Sequence, residues 1–133
     1  MRSVVVTGVS TGIGWGIAKI LIQRSFRVFG SLRKEQDGER LASEFGEAFV
    51  PLLFDITDEA GVQVSAQKVR EQLNGETLFG LVNNAGIQHV SPIEEFPIDK
   101  WNAIIAINLS AAFHTIRAAV PGMKARKWGR IIN

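Results

Sequence analysis

Apolar and polar positions along the chain switch repeatedly between two periods. Ser3-Val4-Val5-Val6-Thr7 is a short β-branched run that predicts a buried strand. A glycine-rich turn follows, and from Ile13 to Arg24 the apolar residues Ile13, Ile17, Ile20 and Leu21 recur at helical spacing. Phe26 to Ser31 reads as a second strand, Glu39 to Phe45 as a short charged helix, and Ala48 to Phe54 as a third strand. Pro51 inside that third strand predicts an edge position, because proline cannot donate to a ladder. Thr57 is the expected cap of the next helix, with Asp58 and Glu59 complementing its first-turn dipole, and that helix runs to about Leu73. Leu78 to Val82 reads as a fourth strand.

After a loop containing Pro92 and Pro97, the spacing predicts a long helix from Asp99 to about Ala125. Trp101, Ile104, Ile105, Leu109, Ala112, Phe113, Ile116 and Val120 form its stripe, and Pro121-Gly122 is expected to kink it or end its regular part. Trp128 to Asn133 begins a fifth strand. Strands alternating with helices specify an α/β, doubly wound parallel sheet with helices on both faces, and the strand order is expected to be 3-2-1-4-5. No repeat, low-complexity tract or linker divides it, so residues 1–133 read as a single dinucleotide-binding domain, incomplete after the fifth strand.

Composition narrows the chemistry. Of 133 residues, 46% are hydrophobic and 21% charged, which excludes collagen-like and disordered chains. No uninterrupted apolar run reaches bilayer length and no signal pattern precedes Val4, so a cytoplasmic protein without a membrane partner is expected. The net charge is +2, and the cations after Asp99 read as a solvated helix face, so no nucleic-acid partner is expected. There is no cysteine, which removes disulfides and thiolate metal sites, and no metal site is expected. There is also no tyrosine.

Thr7-Gly8-Val9-Ser10-Thr11-Gly12-Ile13-Gly14 lies between the first strand and the first helix. Glycines there let backbone N–H groups approach a diphosphate, and the helix N-terminus adds free donors and partial positive charge. The spacing is Gly-x-x-x-Gly-x-Gly and lacks the Gly-Lys-Ser/Thr ending of a P-loop. A tight turn is the bland alternative; the position between strand and helix favours phosphate. An acid at the end of the second strand would accept from a ribose 2′-OH, whereas a base would pair with a 2′-phosphate. The chain has Ser31-Leu32-Arg33-Lys34, so NADP is expected, with Arg33 as the phosphate contact, Lys34 as second choice, and NAD as the alternative cofactor.

Thr7-Gly8-x-x-x-Gly12-Ile13-Gly14, Asn83-Asn84-Ala85-Gly86 after the fourth strand, Asn108 in the long helix and Asp55 after the third strand together resemble the short-chain dehydrogenase/reductase family. The resemblance covers the whole chain and implies an NAD(P)-dependent oxidoreductase. It implies that Gly8, Ser10, Thr11, Gly12, Ile13 and Gly14 line the diphosphate, that Asp55 and Ile56 meet the adenine, and that Asn84, Ala85 and Gly86 approach the ribose. Asn108 matches the helix asparagine that organises a proton relay, its alternative being an amide bonded within a helix–strand contact. From Asn83 onward, Gly86-Ile87-Gln88-His89-Val90 and Ala106-Ile107-Asn108-Leu109-Ser110 resemble bacterial 3-hydroxybutyrate dehydrogenases, which implies a substrate-carboxylate contact for Gln88. The segment before Asn83 is similar to a less specific branch. His89 and His114 have no catalytic partner at recognisable spacing and read as loop and helix-surface residues.

In the family a catalytic Ser follows the fifth strand and a Tyr-x-x-x-Lys helix comes later. Gly129-Arg130-Ile131-Ile132-Asn133 matches the fifth strand, and Lys124 and Lys127 lie before it and follow no tyrosine. The expectation is therefore the N-terminal cofactor-binding part of such an oxidoreductase, inactive alone, and a homo-oligomer through an exposed sheet edge or helices. The alternative is a non-enzymatic scaffold or assembly protein that keeps only the fold.

Overall fold

A computed structural model describes all 133 residues. The strands are β1 (Ser3–Val6), β2 (Arg27–Leu32), β3 (Phe49–Leu53), β4 (Gly80–Val82) and β5 (Arg130–Ile132). The helices are α1 (Gly12–Gln23), α2 (Glu35–Phe45), α3 (Glu59–Leu73), α4 (Ile98–Ile105) and α5 (Ala111–Arg126). All pairings are parallel and the order is β3-β2-β1-β4-β5, as expected from the alternation. Pro51 sits in β3, which is an edge strand.

The period of two along the strands divides the core. In the parallel register Val4 faces Val28 and Val5 faces Phe29, so neighbours in a row share a side of the sheet. Val4, Val6, Val28, Leu32 and Phe49 pack with Ala18 and Leu41 towards α1 and α2. Phe29 and Leu52 pack with Val69 and Leu73 of α3 on the other side. Phe29, Leu41, Val6, Val9 and Val28 are fully enclosed, and each such side chain contributes about 1.5–3 kcal/mol of transfer free energy.

Four local expectations are corrected. α2 starts at Glu35, because Glu35 and Asp37 suit its N-terminal turn and Gly38 is tolerated there, packed closely below Leu32 and Pro51. Asp58, not Thr57, caps α3: its carboxylate accepts from the Ala60 N–H, while the Thr57 hydroxyl donates to Asp55. The long helix continues past Pro121 to Arg126, and its irregular stretch lies upstream, where Ala106–Ser110 widens into a π turn between α4 and α5.

The fourth concerns length. Ile98–Arg126 is one continuous 29-residue helix with mean hydropathy 1.5 over its most apolar window, long and apolar enough by length and composition to cross a membrane. Asn102, Asn108, Ser110 and His114 interrupt the apolar run, which is why a count of consecutive apolar residues stops short. A mostly buried core helix passes the same test, but only 11% of this window is buried. Here the helix buries Ala111, Thr115 and Met123, and the Thr115 hydroxyl donates to the Asn83 side chain at the end of β4.

Candidate dinucleotide site

The strand order reverses between β1 and β4, which opens a crevice beyond their carboxyl ends. Thr7 leaves β1 into that crevice and is buried. Its hydroxyl accepts from the N–H groups of Asn84 (3.0 Å) and Ala85 (2.9 Å), tying the β1 and β4 loops together. In return the Asn84 amide donates to the carbonyls of Thr7 (3.1 Å) and Gly8 (3.0 Å). On the opposite flank Ser31 holds the loop: its hydroxyl accepts from Gly8 N–H (3.0 Å) and its carbonyl from Val9 N–H (3.1 Å).

Two glycines make this bracing possible. Gly8 has φ +70°, a left-handed conformation, and a Cβ there would stand 3.0 Å from Ala85 Cα. A Cβ on Gly14 would overlap the Gly8 carbonyl oxygen and stand 2.5 Å from the Asn84 amide nitrogen. The first turn of α1 thus packs directly beneath the loop.

That first turn keeps its donors free. Thr11, at the cap position, makes no side-chain capping bond, and no acid lies in the first turn of α1. α3 differs, with Asp58 capping it and Glu59 beside the cap. A helix start with neither cap nor acid, at the floor of a crevice, presents N–H groups and a partial positive charge to an anion.

The crevice encloses about 310 Å³ and is lined by Gly8, Ser10, Thr11, Ile13, Gly14, Arg33, Asp55, Ile56, Asn84, Ala85 and Gly86 among the residues expected at a cofactor. Gly12, at φ +63°, stands outside the lining. Arg33 lines the crevice, whereas Lys34, at the cap position of α2, is not among its lining residues. Asp55 Oδ1 accepts from the Thr57 N–H (2.9 Å) and hydroxyl (2.7 Å). These two bonds, backbone first, hold its carboxyl below the usual value against the opposing effect of burial, and the Arg33 charge adds the smallest contribution in the same lowering direction. Asp55 is therefore an ionised acceptor beside a cation.

The loop after β4 is less constrained. Asn108, in the π turn, accepts from Ile87 N–H and donates to Ile87 carbonyl, both at 2.9 Å. The side chain thus holds the loop backbone after β4. Gln88 is exposed, makes no hydrogen bond and lies outside the crevice lining. His89 stacks edge-on against Phe96 in the same exposed segment. His114 Nδ1 is enclosed without a partner, next to Phe113.

Sequence reasoning did not select Ser31 or Arg40 as parts of the site. Arg40 of α2 donates to the Ser10 carbonyl (2.6 Å) and pairs with Asp37 and Glu44, whose carboxylate also accepts from the Trp15 indole. Nothing in the spacing of Arg40 signals this contact. Thr7 was visible as the start of the glycine motif, but its bracing hydroxyl emerges only when β4 lies alongside β1.

Over 99% of its length the chain is 40% identical to D-beta-hydroxybutyrate dehydrogenase of Cupriavidus necator, of which it covers 52%. It is 32% identical over 99% of its length to NADPH-dependent 3-dehydrocapnine reductase of Ornithobacterium rhinotracheale, covering 48% of that protein. The chain spans about half the length of these curated relatives. The crystal structure of a short-chain dehydrogenase from Streptomyces avermitilis superimposes with a TM-score of 0.91 at 25% identity, over 98% of this chain and 47% of the other. The short chain dehydrogenase family description matches residues 2–133, and the chain belongs to that family.

Proposed function

We propose that these residues form the dinucleotide-binding half of an NAD(P)-dependent oxidoreductase, with NADP preferred. The uncapped start of α1 beneath a loop braced by Thr7, Ser31 and Asn84 is the observation that carries this reading. It fits a diphosphate chemically, since backbone donors are grouped beside Gly8 and Gly14, where an added side chain has no room. Arg33 supports NADP: it lines the crevice at the end of β2, where an acid would select NAD. The relative named as NADPH-dependent agrees with that choice.

When bound, the nicotinamide supplies the hydride that reduces a carbonyl or accepts one from an alcohol. The chain's own part is to hold and orient. Gly8, Ser10, Thr11 and Ile13 would contact the diphosphate, and Asp55 and Ile56 the adenine. Asn84, Ala85 and Gly86 would border the ribose. Asn108 fixes the Ile87 backbone, and with it the floor on which a reacting group rests. The 133 residues contain no tyrosine, so the family's proton donor is not among them. Positioned acid–base catalysis supplies roughly 10²–10⁴-fold in rate, and we place that step outside these residues. By likeness to the Cupriavidus enzyme, a small 3-hydroxy acid is the substrate we propose for the whole protein, with Gln88 at its carboxylate.

Homo-oligomerisation belongs to the same proposal. β5 lies at the sheet edge with Arg130 and Ile132 exposed, and Ile98, Trp101, Leu109 and Phe113 are exposed along the long helix. Calorimetric titration of NADPH into the 133-residue chain, run beside a turnover assay with 3-hydroxybutyrate, tests the reading. Saturable binding without turnover is expected. Turnover by this chain would overturn the division of labour, and no binding by folded protein would overturn the cofactor site.

A further inference from the structure

The two sides of the sheet are packed to different standards. On the α1/α2 side Val4 and Val6 of the central strand are buried at 4% and 0% exposure. Val5, between them and facing the other way, is only partly buried despite lying on the middle strand of five. The reason is a half-open cavity of about 300 Å³ between the sheet, α3 and α5. Val5 and Leu81 line it from the sheet, Val69 and Leu73 from α3, and Ala118 and Ala119 from α5. Small residues on the two helices leave the gap: Ala66 on α3, and Ala118, Ala119 and Gly122 on α5.

The wall chemistry says what would fill it. Thr7, Ser31 and Thr115 bring the buried hydroxyls, and each is already hydrogen-bonded, to the Asn84 and Ala85 amides, the Gly8 amide and the Asn83 side chain respectively. No enclosed polar side-chain atom on the wall lacks a partner. An ordered water needs two to four such partners, whereas an apolar cavity of roughly 150 Å³ already accommodates benzene. Charged residues lie only near the α3–β4 connection, at Arg70 and Glu76, both exposed.

We propose that this cavity is a second ligand site, separate from the dinucleotide crevice, which takes one small uncharged aromatic or branched hydrocarbon molecule. Its volume fits a substituted benzene or a bicyclic ring. Ser31 borders both spaces and Thr7 lines the cavity, so an occupant rests against two residues that also brace the glycine loop.

Toluene titrated into the 133-residue chain is the probe, followed by amide NMR and thermal melting. Saturable shifts at Val5, Val69, Ala118 and Ala119 and a melting temperature raised by a few degrees are expected, since a ligand bound only to the folded state stabilises it by mass action. Ala118→Leu fills the space with the chain's own atoms, so it should melt higher without ligand and lose the toluene response. If that variant does not fold, Ala66→Val provides the same comparison with a smaller side chain. Non-saturable or absent shifts in the folded wild type would overturn the proposal, as would an undiminished response in a folded filled variant. Cofactor titration of the same samples reads the dinucleotide crevice separately, so failure at one site is distinguishable from failure at the other.

Discussion

The loop after β1 and the loop after β4 border one crevice and are built in opposite ways. Thr7–Gly14 is cross-braced on both flanks, by Ser31 from β2 and by Asn84 from the β4 loop, and at Gly8 and Gly14 there is no room for added atoms. The stretch after Gly86 is exposed: Ile87 is 39% accessible, Val90 91% and Ile93 83%, and Asn108 supplies its side-chain anchor at Ile87. The first loop suits a ligand portion of fixed shape and charge, such as a diphosphate. The second suits a variable portion, with few internal bonds to lose when it rearranges. Affinity should therefore reside in the first loop and selectivity for the reacting molecule in the second.

The most damaging way to break that contrast is Gly14→Ala. The new methyl meets the Gly8 carbonyl and the Asn84 amide, both backed by hydrogen bonds. Overpacking of this kind costs about 1–3 kcal/mol of stability, and NADPH affinity should fall by about 100-fold, or ~2.8 kcal/mol. Thermal melting and calorimetry of the same sample check both. Next comes Thr7→Val, nearly the same shape without the acceptor. It strands the Asn84 and Ala85 N–H groups, and an unsatisfied buried donor costs about 1–3 kcal/mol. Hydrogen exchange should show both amides losing protection while the β2–β3 pairing keeps its own.

Arg33→Ala sharpens the contrast within the crevice. NADPH binding should weaken by about 10-fold, or ~1.4 kcal/mol, with NADH binding unchanged; competitive titration of the two coenzymes separates them. Equal loss for both would remove the 2′-phosphate role.

A smaller effect follows from Asp55. Its carboxyl is held below the ordinary 3.8, first by the Thr57 N–H and then by the Thr57 hydroxyl. A depressed carboxylate adds stability above the unfolded value, and that stability is lost as pH falls through the folded value. Thr57→Ala should thus melt slightly lower than wild type at neutral pH, with the gap closing as the solution is acidified below about pH 4. Melting curves at a series of pH values read this directly. Smallest of all, Gln88→Ala should leave NADPH affinity unchanged, because Gln88 lies outside the crevice lining. A clear loss in calorimetry would show that the second loop contributes to cofactor affinity after all.

How far each loop was legible follows the same physics. Strand order and the glycine turn could be read from the chain because they depend on local period and on one residue type with special backbone freedom. Pro51 marked the edge strand because a missing donor is a property of the residue itself. Asp58 and Thr57 exchanged expected roles because either can cap, and the choice depended on Asp55 taking the Thr57 hydroxyl. Ser31 escaped notice because a serine ending a strand carries no signal until the neighbouring loop lies across it. The cavity beneath α3 and α5 was invisible for a related reason: alanines at helical spacing look like core until the facing surface is known.

Calorimetric titration of NADPH into wild-type protein and into Gly14→Ala, each first shown folded by circular dichroism, tests the central claim most directly. The account requires saturable one-site binding to the wild type and a loss of about 100-fold in the variant. Equal affinity in the two, or no heat of binding to the folded wild type, would contradict it.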